Sequence, residues 1–244
     1  SITAAIKLAE KGAKVVLLEA GSTSFDQRSQ ELYQCESVSK SLWPEATRLR
    51  YFGGTSNHWA GRCRPYEPID FEQRDYFDLP GWPIAKSEID QHLEEAKNIL
   101  DLENAPSIAS GSTPFKDNFY LDIFQLSKPT RFNEKYLSSI TNNDNIDLII
   151  NANVTSINQS NTEKIETVSI QNYDGYRANV TADTYIVAMG GLENARILLL
   201  SDDKNTKGLG NESDFVGRCF MEHLNINFGT FLANEDIWGN TTSM

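Results

Sequence analysis

Lys7-Leu8-Ala9-Glu10-Lys11-Gly12-Ala13-Lys14-Val15-Val16-Leu17-Leu18-Glu19-Ala20-Gly21 is the stretch whose reading decides the fold. Just upstream, and into its start, Ile2, Ala5, Ile6 and Ala9 recur at helical spacing. Gly12 stands where a helix end wants a left-handed residue. The run from Ala13 to Leu18 has the apolar character of a strand buried in a parallel sheet, and it stops at an acid and a glycine. Helix, short turn, apolar strand, acid: this is the second half of a βαβ unit and predicts an α/β fold. In units of this kind that bind dinucleotides, a glycine loop opens the helix, whose first amides hold a pyrophosphate. An acid about 20 residues further on accepts hydrogen bonds from ribose hydroxyls. Glu19 stands at that place if such a loop ends immediately before Ser1. The other reading is a solvated acid at a strand end.

Outward from this stretch the organisation changes twice. A polar segment from Ser22 to Ser41 leads to Gly53-Gly54-Thr55-Ser56-Asn57-His58-Trp59, and Pro65 to Pro83 reads as an extended loop. Ser87 is expected to cap a helix through about Leu100, with Ile89, Leu93, Ala96 and Leu100 on its apolar face. Asp101 to Lys128 is irregular, and Asn133 to Ile140 has the pattern of a short helix. Beyond Asn145 the period becomes two, predicting strands at Ile146–Ile150, Val154–Ile157, Lys164–Gln171 and Tyr176–Ala182 in a β-meander. Tyr173-Asp174-Gly175 makes the last pair a hairpin. Thr184 to Met189 reads as a buried strand that Gly190-Gly191 turns into a helix from Leu192 to Leu200.

Composition bounds the function. The chain has 244 residues with 22 Lys and Arg against 34 Asp and Glu, a net charge of −12. That balance argues against a protein that tracks phosphate backbones. With 39% apolar and 10% aromatic residues the chain can build a core. No apolar run reaches the ~18 residues of a membrane span. Three scattered cysteines make neither a disulfide framework nor a CxxC metal site, and no metal is expected.

Two further glycine pairs bear on chemistry. Gly53 and Gly54 allow backbone to approach a planar ligand, with Thr55, Ser56 and Asn57 as short polar arms and Trp59 as an apolar wall. A glycine turn feeding a buried Trp, with His58 as a core histidine, accounts for the same residues. Ile186 to Arg196 puts amides at a helix N-terminus, a common cofactor contact shared by many βα turns. Gly208-Leu209-Gly210-Asn211, Val216-Gly217-Arg218 and Glu222-His223 read as a polar surface loop.

Taken in order, these segments resemble the amino-terminal part of a glucose–methanol–choline (GMC) oxidoreductase. The resemblance runs over almost the whole chain. It is carried by Lys7 to Gly12 leading to Leu18-Glu19-Ala20-Gly21, by Gly53-Gly54-Thr55-Ser56, and by Gly81-Trp82-Pro83-Ile84. It continues through Ala188 to Arg196 and ends at Val216-Gly217-Arg218 with Glu222-His223. The resemblance implies an α/β (α+β overall) FAD/NAD(P)-binding Rossmann-like domain with an inserted β-meander, and a discontinuous substrate or cap domain. Residues 1–65 and 145–220 would form the FAD-binding part, and 66–144 and 221–244 the cap. Glu19 would hold the adenosine ribose; Gly53, Gly54, Ser56, Asn57 and His58 would lie along the pyrophosphate and flavin. Val154 would touch the adenine by its backbone, and Ala188, Gly190 and Asn194 would line the other side. His58, directly before Trp59, matches the spacing at which the pyranose-oxidase-like branch attaches flavin covalently. A histidine merely packed against the ring fits the same spacing.

The implied activity is FAD-dependent oxidation of a CH–OH group of a sugar, polyol or other alcohol, by hydride transfer to flavin N5. The sugar lean rests on His58 to Arg62. The electron acceptor (oxygen, a quinone or a cytochrome) is left open, as is the compartment, with cytoplasm ahead of periplasm. The family's catalytic base belongs to a carboxyl-terminal segment, so no catalytic residue is assigned among His58, His92 and His223. The chain also opens in helical pattern without a Met, and it is expected to be cut at both ends. A catalytically incompetent FAD- or nucleotide-binding remnant is the alternative reading. The meander weighs against a simple nicotinamide-dependent Rossmann dehydrogenase.

Overall fold

The computed structural model describes residues 1–38, 43–76, 81–102, 113–116, 119–121, 124–161, 164–222 and 229. Helix α1 (Ile2–Glu10) buries Ile2, Ala5 and Ala9 along one face, the i, i+3, i+7 stripe that the sequence spacing predicts. Small Ala5, fully buried, lets the helix lie close to the sheet. Gly12, at φ +86°, ends it in a Schellman motif. Its N–H donates to Ala9 O at 2.9 Å, and that of Ala13 to Leu8 O at 3.0 Å.

Strand β1 (Val15–Leu18) follows and pairs in parallel with β2 (Ile146–Ile149), Val15 opposite Ile146 and Leu18 opposite Ile149. Ile146 to Ile150 was expected to open the meander. It instead belongs to the parallel pair. Helix α2 (Phe132–Thr141) leads into β2 and packs Ile140, Phe132, Tyr136 and Leu137 against α1. With Leu17, Phe52 and Ile146 these residues make the first core.

The three-stranded antiparallel meander consists of β3 (Asn153–Gln159), β4 (Ile165–Gln171) and β5 (Arg177–Val180), in that order. Its second turn is closed by Asn172, whose Oδ1 accepts from the N–H groups of Asp174 and Tyr176. Helix α3 (Gly191–Leu200) lies on this sheet and buries Ile197 against Ile157 and Val168. At its end, Ser201 Oγ donates to Ile197 O at 2.7 Å and accepts from Ile157 N–H at 2.9 Å, satisfying an edge group of β3.

Strand β1 joins the two cores because successive side chains point to opposite faces. Leu17 enters the first core and Leu18 the second. Thr184 to Met189 also alternates, with Tyr185 and Val187 on the second core and Ile186 58% exposed. This segment is extended but, among the described residues, pairs with no strand. The expected buried strand is therefore not formed, because a ladder needs a neighbour and none of the described residues supplies one.

The expected Ser87–Leu100 helix is two pieces, Lys86–Asp90 and Leu93–Ile99. Glu88, not Ser87, stabilises its start by accepting from Ala85 N–H at 2.8 Å. His92 sits exposed at the break. Short antiparallel pairs join Arg62–Cys63 to Gln125–Leu126 and Thr113–Lys116 to Phe119–Leu121. His223, and with it 223–228 and 230–244 of the expected cap, lies outside the described residues.

Candidate cofactor site

Glu19 follows the carboxyl end of β1, where ligands of open parallel sheets bind. Its N–H donates to Ile149 O and its carbonyl accepts from Ala152 N–H, both at 2.9 Å, so the β2–β3 link fixes it. One carboxylate oxygen accepts from Gly21 N–H at 2.8 Å. Burial pushes this carboxyl above the usual range, against the pull of the Gly21 N–H and the Arg50 charge. Glu19 thus stands at the carboxyl end of the strand against which α1 packs.

Two arginines then organise what lies around that region. Arg50 Nη2 donates to Asn153 Oδ1 at 2.6 Å, and Nη1 to Tyr173 Oη at 2.9 Å and Ser29 Oγ at 3.0 Å. The Tyr173 hydroxyl in turn donates to Ala20 O at 3.3 Å. Arg48, two residues earlier, reaches the other way. Its Nη1 donates to Glu193 Oε1 at 2.7 Å, across 145 residues of chain. Both guanidinium groups lie over the Tyr33 ring, at 4.0 Å and 5.6 Å from its centre. Burial and the Glu193 charge hold the Tyr33 phenol above its ordinary value. Sequence reasoning passed over Arg48, Arg50, Tyr33 and Tyr173. The only local signal was two cations spaced to share a face just before Gly53.

Gly53 (φ +92°) and Gly54 (φ +54°) turn the chain into a 3-10 segment, Gly54–Asn57. Much of this turn's polar capacity is spent on the protein itself. Ser56 Oγ donates to Gly53 O at 2.7 Å. Asn57 Nδ2 donates to Phe52 O at 2.9 Å, while its Oδ1 accepts from Asn133 N–H at 3.2 Å. Asn57 thus fastens the glycine turn to the start of α2. His58 is exposed on one side, with Nε2 3.2 Å from Thr47 O. Trp59 Nε1 donates to Thr130 O at 2.9 Å.

The second turn is built differently. Gly190 (φ +90°) precedes α3, and Ala188 and Gly190 are exposed. Asn194 Oδ1 accepts from Met189 N–H at 2.8 Å and its Nδ2 donates to Val187 O at 3.4 Å, so this side chain braces the turn from within. The first amides of α3 have no intrahelical acceptor. Val154, in β3 opposite Ile170, turns its side chain into the second core. Of the expected residues, Glu19 and Val154 come together through the Ala152 link, Gly53 to His58 form a second group, and Ala188, Gly190 and Asn194 a third. Arg48 and Arg50 tie the three. Downstream, Asn211 is buried and ties its loop through Lys207 O and Val216 N–H, a structural role.

An open concavity of about 650 Å³ is lined by Asp101, Thr130, Arg131 and Lys135 among others, and by none of the expected cofactor residues. Among the described residues no cluster of three His, Cys, Asp or Glu could hold a metal, and no helix is long and apolar enough to cross a membrane.

No family model matches the chain. The chain is 35% identical over 92 residues to the fructose dehydrogenase large subunit of Gluconobacter japonicus, covering 37% of this chain and 17% of that protein. It is 21% identical over 226 residues to 2-methyl-1,2-propanediol dehydrogenase of Mycolicibacterium austroafricanum, covering 70% of this chain and 40% of that one. Formate oxidase of Aspergillus oryzae RIB40, in a structure concerned with FAD modification, superposes with a TM-score of 0.47 at 17% identity, over 82% of this chain and 45% of that one. The chain therefore spans less than half the length of each of these relatives. A parallel βα unit with an acid at its strand end, faced by two glycine turns, is the fold class of α/β dinucleotide-binding proteins. The motif series resembles that of the GMC oxidoreductases, and over the shares given the chain is similar in sequence to two dehydrogenases.

Proposed function

We propose that the chain forms the FAD-holding portion of an oxidoreductase that oxidises a CH–OH group of a sugar, polyol or other alcohol. The observation that carries this reading is the place of Glu19 at the carboxyl end of β1, with Arg50 and Arg48 strapping it to the segments that bear the two glycine turns. The residues fit the cofactor. The half-buried Glu19 carboxylate, held by Gly21 N–H, suits two ribose hydroxyls. A Cβ on Gly190 or Gly191 would meet nothing within 4 Å, so this turn is not packed shut at its glycines, and helix N-terminal amides of this kind suit a flat or anionic group. When bound, FAD supplies the hydride acceptor of the reaction.

Each expected residue then has a task. Glu19 accepts from the ribose, and the Val154 backbone borders the adenine. Gly53, Gly54, Ser56, Asn57 and His58 form one wall; Ala188, Gly190 and Asn194 form the other. Asn57 and Asn194 serve by shaping their turns, since their amides are already engaged. Residues 1–65 with 145–220 make the nucleotide-binding part, and 66–144 with 221–244 the cap, with α2 of that interval packed onto the nucleotide-binding core. The relatives named for fructose and for a diol support the sugar or polyol lean.

The test is flavin content and reactivity of the full-length protein. We expect a yellow protein whose flavin survives gel filtration and bleaches anaerobically with a polyol or sugar. A colourless protein that takes up no added FAD would overturn the reading. Flavin that stays with the acid-precipitated protein would show covalent attachment, and its release in His58→Ala would place the bond at His58; flavin left in the wild-type supernatant would exclude it.

A further inference from the structure

Arg48 and Glu193 are far apart in sequence and belong to the two segments that carry the glycine turns. Their side chains are 18% and 13% exposed, the least exposed ion pair among the described residues. Glu193 also accepts from Arg196 Nε at 2.7 Å, but Arg196 is 52% exposed. Burial alone would raise the Glu193 carboxyl; the bonds from Arg48 and Arg196 hold it below its ordinary value. Arg48 is itself held from two more sides, by Pro44 O at 3.0 Å from its Nε and by the Tyr33 ring at 4.0 Å. A guanidinium fixed this way is a rigid fork, which a lysine ammonium is not. Glu193 lies in the first turn of α3, where an unneutralised carboxylate would repel an anion approaching the helix start.

We propose that the Arg48–Glu193 pair is a positioning clamp: it fixes the Gly190–Gly191 turn relative to the Gly53–Gly54 turn and neutralises the first turn of α3. The clamp touches no cofactor atom; it acts through the turns. Its effect on binding rests on the FAD reading above, whereas its effect on the two turns does not.

The experiment pairs FAD affinity with amide hydrogen exchange in the full-length protein, for wild type, Arg48→Met, Arg48→Lys, Glu193→Gln, the Arg48→Met/Glu193→Gln double variant and Arg196→Ala. Arg48→Met and Glu193→Gln should each weaken FAD binding about 5- to 150-fold, the range of an ordinary coupling between sites. Arg48→Lys should recover part of that loss, and Arg196→Ala, which removes only the exposed partner of Glu193, should cost less than Arg48→Met. Exchange should quicken at both 53–57 and 190–194, no further in the double variant than in either single one, and stay unchanged in α1 and β4. Exchange that quickens at one turn only, effects that add in the double variant, or unchanged FAD affinity would overturn the clamp. Should Arg48→Met fail to fold, the near-isosteric Glu193→Gln decides alone. If wild type binds no FAD, the cofactor reading falls and the exchange pattern alone judges the clamp.

Discussion

A methyl group added to Gly53 would lie 2.8 Å from Asn133 N and from both side-chain polar atoms of Asn57, whereas one added to Gly190 or Gly191 would meet nothing within 4 Å. Both turns pass through positive φ, at +92° and +90°. The first needs glycine twice over, for its backbone and for the packing that Asn57 makes between Phe52 and α2. The second needs it only for the backbone of Gly190. An equal pair of glycine motifs in the sequence thus becomes one packed hinge and one open mouth. Among the described residues nothing packs against the glycines of the second turn, so a ligand could approach its backbone there and not at the first.

Gly53→Ala should have the largest effect on the fold. Positive φ costs a residue with a Cβ about 1–2 kcal/mol, and overpacking adds about 1–3 kcal/mol. Denaturant unfolding should therefore show a loss of about 2–5 kcal/mol. A variant as stable as wild type would mean that the turn relaxes freely, and the contrast with Gly190 would disappear.

Glu19→Gln probes the region the open turn faces. A hydrogen bond to a charged group contributes about 1.5–3 kcal/mol, so FAD affinity should fall roughly 10- to 150-fold. Stability should move the other way. Burial raises the folded-state pKa of Glu19 above its unfolded value. Its ionisation therefore costs stability as pH rises through the folded pKa, and a neutral glutamine at neutral pH removes that cost. Glu193 has the opposite sign: its folded pKa is lowered, and its contribution is lost as pH falls through that value. On acidification FAD affinity should fall first, as Glu19 takes up its proton, while the Arg48–Glu193 pair persists to lower pH. Titration of FAD affinity in wild type and Glu19→Gln checks this; an equal acid response in both would exclude Glu19 as its source.

How far the sequence disclosed this arrangement depended on the range of the interaction. The face of α1, the Gly12 cap and the Tyr173–Gly175 hairpin were legible because each is written within a few residues. Helix α2 was found to within a residue at each end. The partnership of Ile146–Ile149 with β1 was not, because four residues of period two do not say whether their partner runs parallel or antiparallel. Thr184 to Met189 has a strand's alternation, but pairing is decided by a neighbour rather than by the segment. At the candidate site, the position of Glu19 just past β1 was legible because a strand end is local. The roles of Asn57 and Asn194 were half found: residue type gave a polar arm, and only three dimensions gave its direction. Arg48 and Arg50 were missed because the partners Glu193, Asn153 and Tyr173 lie over 100 residues away.

The smallest effect is expected at Gly191, and it discriminates best. This residue begins α3 at ordinary φ with open space around its Cβ. Alanine there gains helix propensity and loses unfolded-chain entropy, worth up to about 1 kcal/mol. The fold without cofactor should therefore be unchanged or slightly stabilised, as thermal unfolding of the flavin-free protein would report. If a cofactor packs against the turn, the same methyl group intrudes on it, and FAD should be retained less well. Stability rising while FAD affinity falls would separate the two demands on a glycine that Gly53 combines. Full FAD affinity in Gly191→Ala would mean that no cofactor atom approaches this residue, and the open mouth would have to be entered beside Gly190 and Ala188 alone.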